Sequence, residues 1–163
     1  MDYSIRAMDD INTLRRILSE SRTIAVVGLS AEWHRPSYFA AKYMQEHGYR
    51  VIPVNPKYRE ILGEKCYPSL REIPDRVDLV DVFRKTQDVM PIAEQAIAIR
   101  ARVFWQQLGV KNAAAAEKAR AAGLDAVMDR CVKIEHGRLF GGLNWVGVNT
   151  RVISAKRPRW LAY

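Results

Sequence analysis

The sequence predicts a doubly wound α/β domain on a mainly parallel sheet, and three observations carry that expectation. Short apolar runs recur at intervals of roughly 25 residues with helix-forming segments between them, as in successive right-handed βαβ units. The runs are apolar without alternation, as strands covered on both faces are. The first run, Thr23 to Val27, stops at Gly28, passes through Ser30 and reaches a helix start at Arg35, Pro36 and Ser37. That is the layout of a phosphate-binding turn, in which a small residue lets backbone N–H groups approach an anion and the next helix points its positive end at it.

Each element has its own signal. Asp9 and Asp10 precede Ile11, Leu14, Ile17 and Leu18, whose spacing places them on one helical face, so residues 1–22 hold a capped entry helix. After the turn, Pro36 suits the first position of a helix that Gly48 ends. Tyr49 to Val54 reads as a second strand, closed by Asn55 and Pro56. The segment LGEKCYPSL reads as a loop, followed by a short helix over Ser69 to Ile73. Val77 to Phe83 is a third strand, Val89 to Arg100 a helix, and Arg102 to Gln106 a fourth strand. Asn112 leads into AAAAEKARAA, a strong helix by propensity with Gly123 as its stop. Asp125 to Val132 reads as the fifth strand. The result is a single Rossmann-like domain over residues 1–163, five strands with helices on both faces, ending in a basic extension from His136.

Composition narrows the function classes. Hydrophobic residues make up 48% and charged residues 27%, as in a soluble globular domain, and no apolar run approaches the ~20 residues of a bilayer span. Acidic residues stand where a signal peptide would be basic and then apolar, so the expected compartment is the cytoplasm. Cys66 and Cys131 form no CxxC pair, and His34, His47 and His136 are scattered, so no metal site is expected and the histidines read as surface or helix-end residues. The net charge is +8, of which Arg138, Arg151, Lys156, Arg157 and Arg159 supply five cations with no acidic residue between His136 and Tyr163. Such a tail can track a nucleic-acid backbone, but it carries no recognised nucleic-acid motif, and a field that draws a polyphosphate ligand accounts for the same charge.

In doubly wound sheets ligands lie beyond the carboxyl ends of the strands, which turns the sequence into a candidate set. The first strand offers Gly28, Leu29 and Ser30; the second offers Val54, Asn55, Pro56 and Lys57; the third offers Phe83 and Arg84. The fourth gives Trp105, Gln106, Gln107 and Gly109, read as an aromatic wall, amides and a glycine that admits a ligand. Arg130 and Cys131 follow the fifth. The dinucleotide fingerprint needs three glycines, and the window Gly28 to Trp33 supplies one. The acid that binds a ribose 2′-hydroxyl is also missing, since the second strand ends in Val54, Asn55, Pro56 and Lys57. Lys57 and Arg84 favour a ligand with extra phosphate, although a single surface cation is more often simply solvated. Packing is the commoner role for Phe83 and Trp105, and an inert buried thiol the commoner state of Cys131.

Taken together, TIAVVGLS with RPS, VIPVNP, VDLVDVFR, VFWQQLG and VMDRC resemble, in order and spacing, the stand-alone CoA-binding domain proteins of bacteria. That domain is similar to the nucleotide-binding domain of the succinyl-CoA synthetase α-subunit. The resemblance implies a coenzyme A (or acyl-CoA) site with the pyrophosphate at Gly28, Leu29, Ser30, Arg35, Pro36 and Ser37. It implies adenosine against Val54, Asn55, Pro56 and Lys57, with Phe83, Arg84, Trp105, Gln107 and Gly109 lining the rest and the pantetheine arm running toward Cys131. The synthetases carry a phosphorylated histidine in a second domain, so ligase activity is not implied and a binding module is the first expectation. Alternatives are a redox-active protein forming a Cys131–CoA mixed disulfide and an NAD(P)-dependent oxidoreductase. No protein partner or oligomeric state is indicated.

Overall fold

The computed structural model describes residues 10–141. Its element order is α1 (Ile11–Glu20), β1 (Thr23–Val27), α2 (Pro36–Glu46), β2 (Arg50–Val54), β3 (Glu60–Ile61), β4 (Glu64–Lys65), β5 (Leu79–Val82), α3 (Val89–Ala98), β6 (Val103–Gln106), α4 (Ala113–Ala121), β7 (Asp125–Val127) and α5 (Val132–Phe140). Five strands form one parallel sheet in the order β2-β1-β5-β6-β7. The order reverses at β1, so the crevice of a doubly wound fold opens beyond the carboxyl ends of β1, β2 and β5.

The strands are nearly continuous in apolar residues because helices cover both faces. Alternate residues feed two cores. Ala25, Val27, Val80 and Phe104 pack with Val89, Ile92 and Ala93 of α3 and Ala115, Ala116 and Ala119 of α4. Ile24, Val26, Leu79 and Trp105 pack with Leu14, Ile17 and Leu18 of α1, Ala41 and Met44 of α2, and Val132 and Leu139 of α5. Asp10 caps α1 by accepting from the Asn12 and Thr13 amides, as the sequence leads one to expect.

Beyond shifts of one or two residues at element ends, two features differ from the sequence reading. The fifth strand ends at Val127, five residues early, and residues 132–140 form a helix. Asp129 takes a left-handed conformation with φ of 59°, which turns the chain out of the sheet. The following backbone is then tied to β6, with the Arg130 carbonyl accepting from the Trp105 indole at 2.7 Å. Cys131 is therefore the N-cap residue of α5 and not a strand end, and His136 lies inside that helix and not in an extension. The second difference is a small antiparallel hairpin, β3 with β4, within the segment read as a loop. The rest of the basic extension, and the expectation of one domain over residues 1–163, concern residues outside those described.

Candidate functional site

Gly28 is the pivot of the strand-end crevice. Its N–H donates to the Val54 carbonyl at 2.8 Å, its φ is 87°, and a Cβ there would overlap the Phe83 carbonyl oxygen. Only glycine satisfies both the left-handed backbone and the close approach of β1 to the end of β5. Beyond it, Ser37 Oγ accepts from the Ser30 amide at 3.1 Å, tying the turn to the start of α2. Asn55 joins the neighbouring strand end, with its Nδ2 donating to the Leu29 carbonyl and its Oδ1 accepting from the Lys57 amide.

Two clefts meet at this pivot, with Gly28 and Asn55 bordering both. One, of about 350 Å³, is lined by Ser30, Glu32, Arg35, Ser37, Lys57 and Phe83, with Pro36 at its edge. The other, of about 340 Å³, lies between Val54, Pro56, Pro68, Ser69, Arg84, Gln87 and Gln95. Pro68 and Ser69 reach it because Tyr67 doubles back along β2, accepting from the Asn55 amide and donating to the Pro53 carbonyl.

The rim of the first cleft is positive and its helix end is open. Arg35 occupies the N-cap of α2, Pro36 follows, and no side chain caps the helix. Pro36 has no N–H and the Tyr38 amide donates to the Arg35 carbonyl, so in this first turn the Ser37 amide, with the partial positive charge of the helix end, is left for a ligand. Arg35 Nε donates to Glu32 Oε2 at 2.8 Å, holding the Glu32 carboxyl below its usual range. More than half of Arg35 is exposed, so solvent weakens that pair and a ligand anion can compete for the cation. Lys57 makes no ion pair among the described residues, and Arg84 stands 3.9 Å from Asp88.

The other half of the edge is filled by the protein itself. Trp105 is fully buried and belongs to the core, so the expected aromatic wall is absent. Leu29 is likewise buried, leaving only its backbone near the cleft. Gln107 is buried with its Nε2 donating to Asp81 Oδ1 at 2.6 Å. Burial pushes the Asp81 carboxyl up to about 8, despite that hydrogen bond. The Gly109 amide, expected to face a ligand, donates to Asp129 Oδ1 at 2.8 Å, and Lys111 pairs with the same carboxylate. Cys131 borders neither cleft. Burial raises its thiol, with the charge of Asp81 acting in the same direction.

Sequence reasoning thus found Gly28, Ser30, Arg35, Ser37, Val54, Asn55, Pro56, Lys57, Phe83 and Arg84 around the joined clefts. It missed Tyr58, Ser69, Gln87 and Gln95. Ser69 follows the proline of CYPSL, but nothing in sequence shows that this loop returns to β2. Gln87, three residues after the strand-end cation Arg84, carried a signal in that position, whereas Gln95 lies inside α3 and nothing in sequence marks it.

This geometry defines a class: a doubly wound α/β domain whose glycine turn, open helix end and cations suit a phosphorylated nucleotide-type ligand. Residues 22–137 match the CoA binding domain family, and the chain belongs to that family. The uncharacterized protein YneT of Bacillus subtilis is 42% identical over 123 residues, covering 76% of this chain and 91% of YneT. A solved structure of a hypothetical protein from Pyrococcus horikoshii is 46% identical with a TM-score of 0.79, covering 81% of this chain and 93% of that one. An ADP-forming acetate–CoA ligase of Archaeoglobus fulgidus is 43% identical over 58 residues, which cover 36% of this chain and 8% of the ligase. The chain therefore corresponds to a small part of that larger enzyme. Among the described residues, no helix is long and apolar enough to cross a membrane.

Proposed function

We propose that this protein binds coenzyme A or an acyl-CoA in the joined clefts and acts as a binding module without ligase chemistry of its own. The observation that carries the reading is the uncapped start of α2 beside Gly28, with Arg35 and Lys57 on the rim, in a chain of the CoA binding domain family. The pyrophosphate would sit over the turn of Gly28 and Ser30 and the start of α2, where the Ser37 amide and the positive end of the helix are left for an anion. Adenosine and its 3′-phosphate would occupy the cleft of Asn55 and Lys57, because that phosphate needs the free cation. The pantetheine arm, with its two amides, would leave through the cleft of Ser69, Gln87 and Gln95, whose polar groups can pair with them.

The NAD(P) alternative has no acid at the end of β2 to support it. The redox alternative has little more, since a raised thiol pKa leaves Cys131 short of the thiolate that exchange requires. Isothermal titration with CoA, dephospho-CoA and NADP⁺ tests the reading. Binding is expected in the order CoA, dephospho-CoA, NADP⁺, with affinity falling as salt rises. NADP⁺ binding more tightly than CoA would overturn it.

A further inference from the structure

At the opposite end of the sheet the fold brings together two of the three histidines that look unrelated in sequence. His47 ends α2 and His136 lies within α5, and their ring centroids are 5.2 Å apart. Both line a cavity of about 280 Å³ beside the starts of β1 and β2, together with Ser19, Arg22 and Tyr49. His47 is exposed, whereas His136 is buried among Tyr43, Tyr49 and Phe140.

Each imidazole is anchored through the same ring atom. His47 Nδ1 lies 2.7 Å from the Tyr43 carbonyl oxygen, which can only accept, so Nδ1 carries the proton and Nε2 keeps its lone pair. His136 Nδ1 lies 3.0 Å from the Tyr43 hydroxyl, which can accept from it in the same way. Neither Nε2 has a hydrogen-bond partner among the described residues. An outward bond at one ring nitrogen, fixing orientation and tautomer while the other nitrogen stays open, is the arrangement of metal-binding histidines. Two imidazoles on one tetrahedral ion, at Zn–N distances near 2.0–2.1 Å, put their ring centroids about 5 Å apart. The observed centroid separation of 5.2 Å matches that distance.

We infer that His47 and His136 form a two-histidine site for a late first-row divalent cation such as Zn²⁺ or Ni²⁺. Imidazole donors suit these ions, and the absence of a third histidine, cysteine or carboxylate nearby among the described residues leaves the other positions to water or a small anion. Arg22 in the cavity wall favours the anion. The site lies away from the strand-end clefts and does not depend on what they bind.

Titration of tag-free full-length protein with ZnCl₂ and NiCl₂ tests the site. One ion per chain is expected, with both imidazole resonances shifting on addition of Zn²⁺ and with affinity at least about tenfold weaker in H47Q and H136Q. H34Q and C131S should leave binding unchanged, since neither residue touches the cavity. Where H136Q fails to fold, H47Q decides, because that side chain is exposed and its loss removes no core contact. Absence of binding by the native chain, unchanged binding in H47Q, or loss of binding in H34Q or C131S would overturn the assignment.

Discussion

Along one edge of the sheet lie two halves of opposite character. At the ends of β1 and β2 the backbone turns through Gly28 and delivers the chain to a helix that no side chain caps, with Arg35 and Lys57 exposed beside it. At the ends of β6 and β7 the polar side chains themselves are spent on partners within the protein. The Gly109 amide is held by Asp129, Gln107 by Asp81 and the Trp105 indole by the Arg130 carbonyl, while Gln106 exchanges both of its amide groups with Asn112. A phosphate brings only acceptors, so it needs donors that the fold has not used. A glycine, an amide and an aromatic at a strand end do not suffice.

Breaking the open half should have the largest effect. Gly28→Ala forces a side chain onto the Phe83 carbonyl at a positive φ, and a loss of about 3 kcal/mol in stability is expected by urea unfolding, together with loss of CoA binding. In the closed half, Asp81 ionises at its usual 3.8 when unfolded and near 8 when folded. Between those values the folded state holds the extra proton, so stability falls as pH rises through the window and levels off above it. Asp81→Asn should remove that slope and stabilise the protein at pH 8 by on the order of 2 kcal/mol, measured by denaturation across pH.

Arg35→Ala and Lys57→Ala should each weaken CoA about tenfold at low salt and less at high salt, with Lys57→Ala narrowing the preference over dephospho-CoA. The smallest effect belongs to Asp129→Asn. It should cost about 1 kcal/mol of stability while changing CoA affinity less than about twofold, because it disturbs only the self-satisfied half. A large change in affinity there would erase the distinction between the halves.

Much of this was legible in the sequence, for reasons visible in particular residues. The apolar runs, Gly28 and Pro36 report backbone demands that the residues themselves impose, and they located the sheet, the pivot and the helix start. Trp105 was misplaced because a strand buried on both faces gives no alternation to show where a side chain points, and its partner lies 25 residues on at Arg130. The end of β7 was missed because a left-handed Asp129 leaves no glycine signal. Helix α5 hid behind a buried Glu135 and His136, polar residues on its inward face. Glu135 is paired there with Arg130 and Arg138, and His136 with Tyr43, contacts that only the folded chain brings together. Gly109 shows the same limit: the sequence revealed its turn, but not the carboxylate that occupies its amide.

The most direct test of the unequal halves is a backbone amide NMR titration with CoA. The account predicts the largest shifts at Gly28 to Tyr38 and Asn55 to Tyr58, with Gly109 to Lys111 and Asp129 nearly unmoved. Shifts concentrated at Gly109 to Lys111 and Asp129, with the Gly28 turn unmoved, would contradict it.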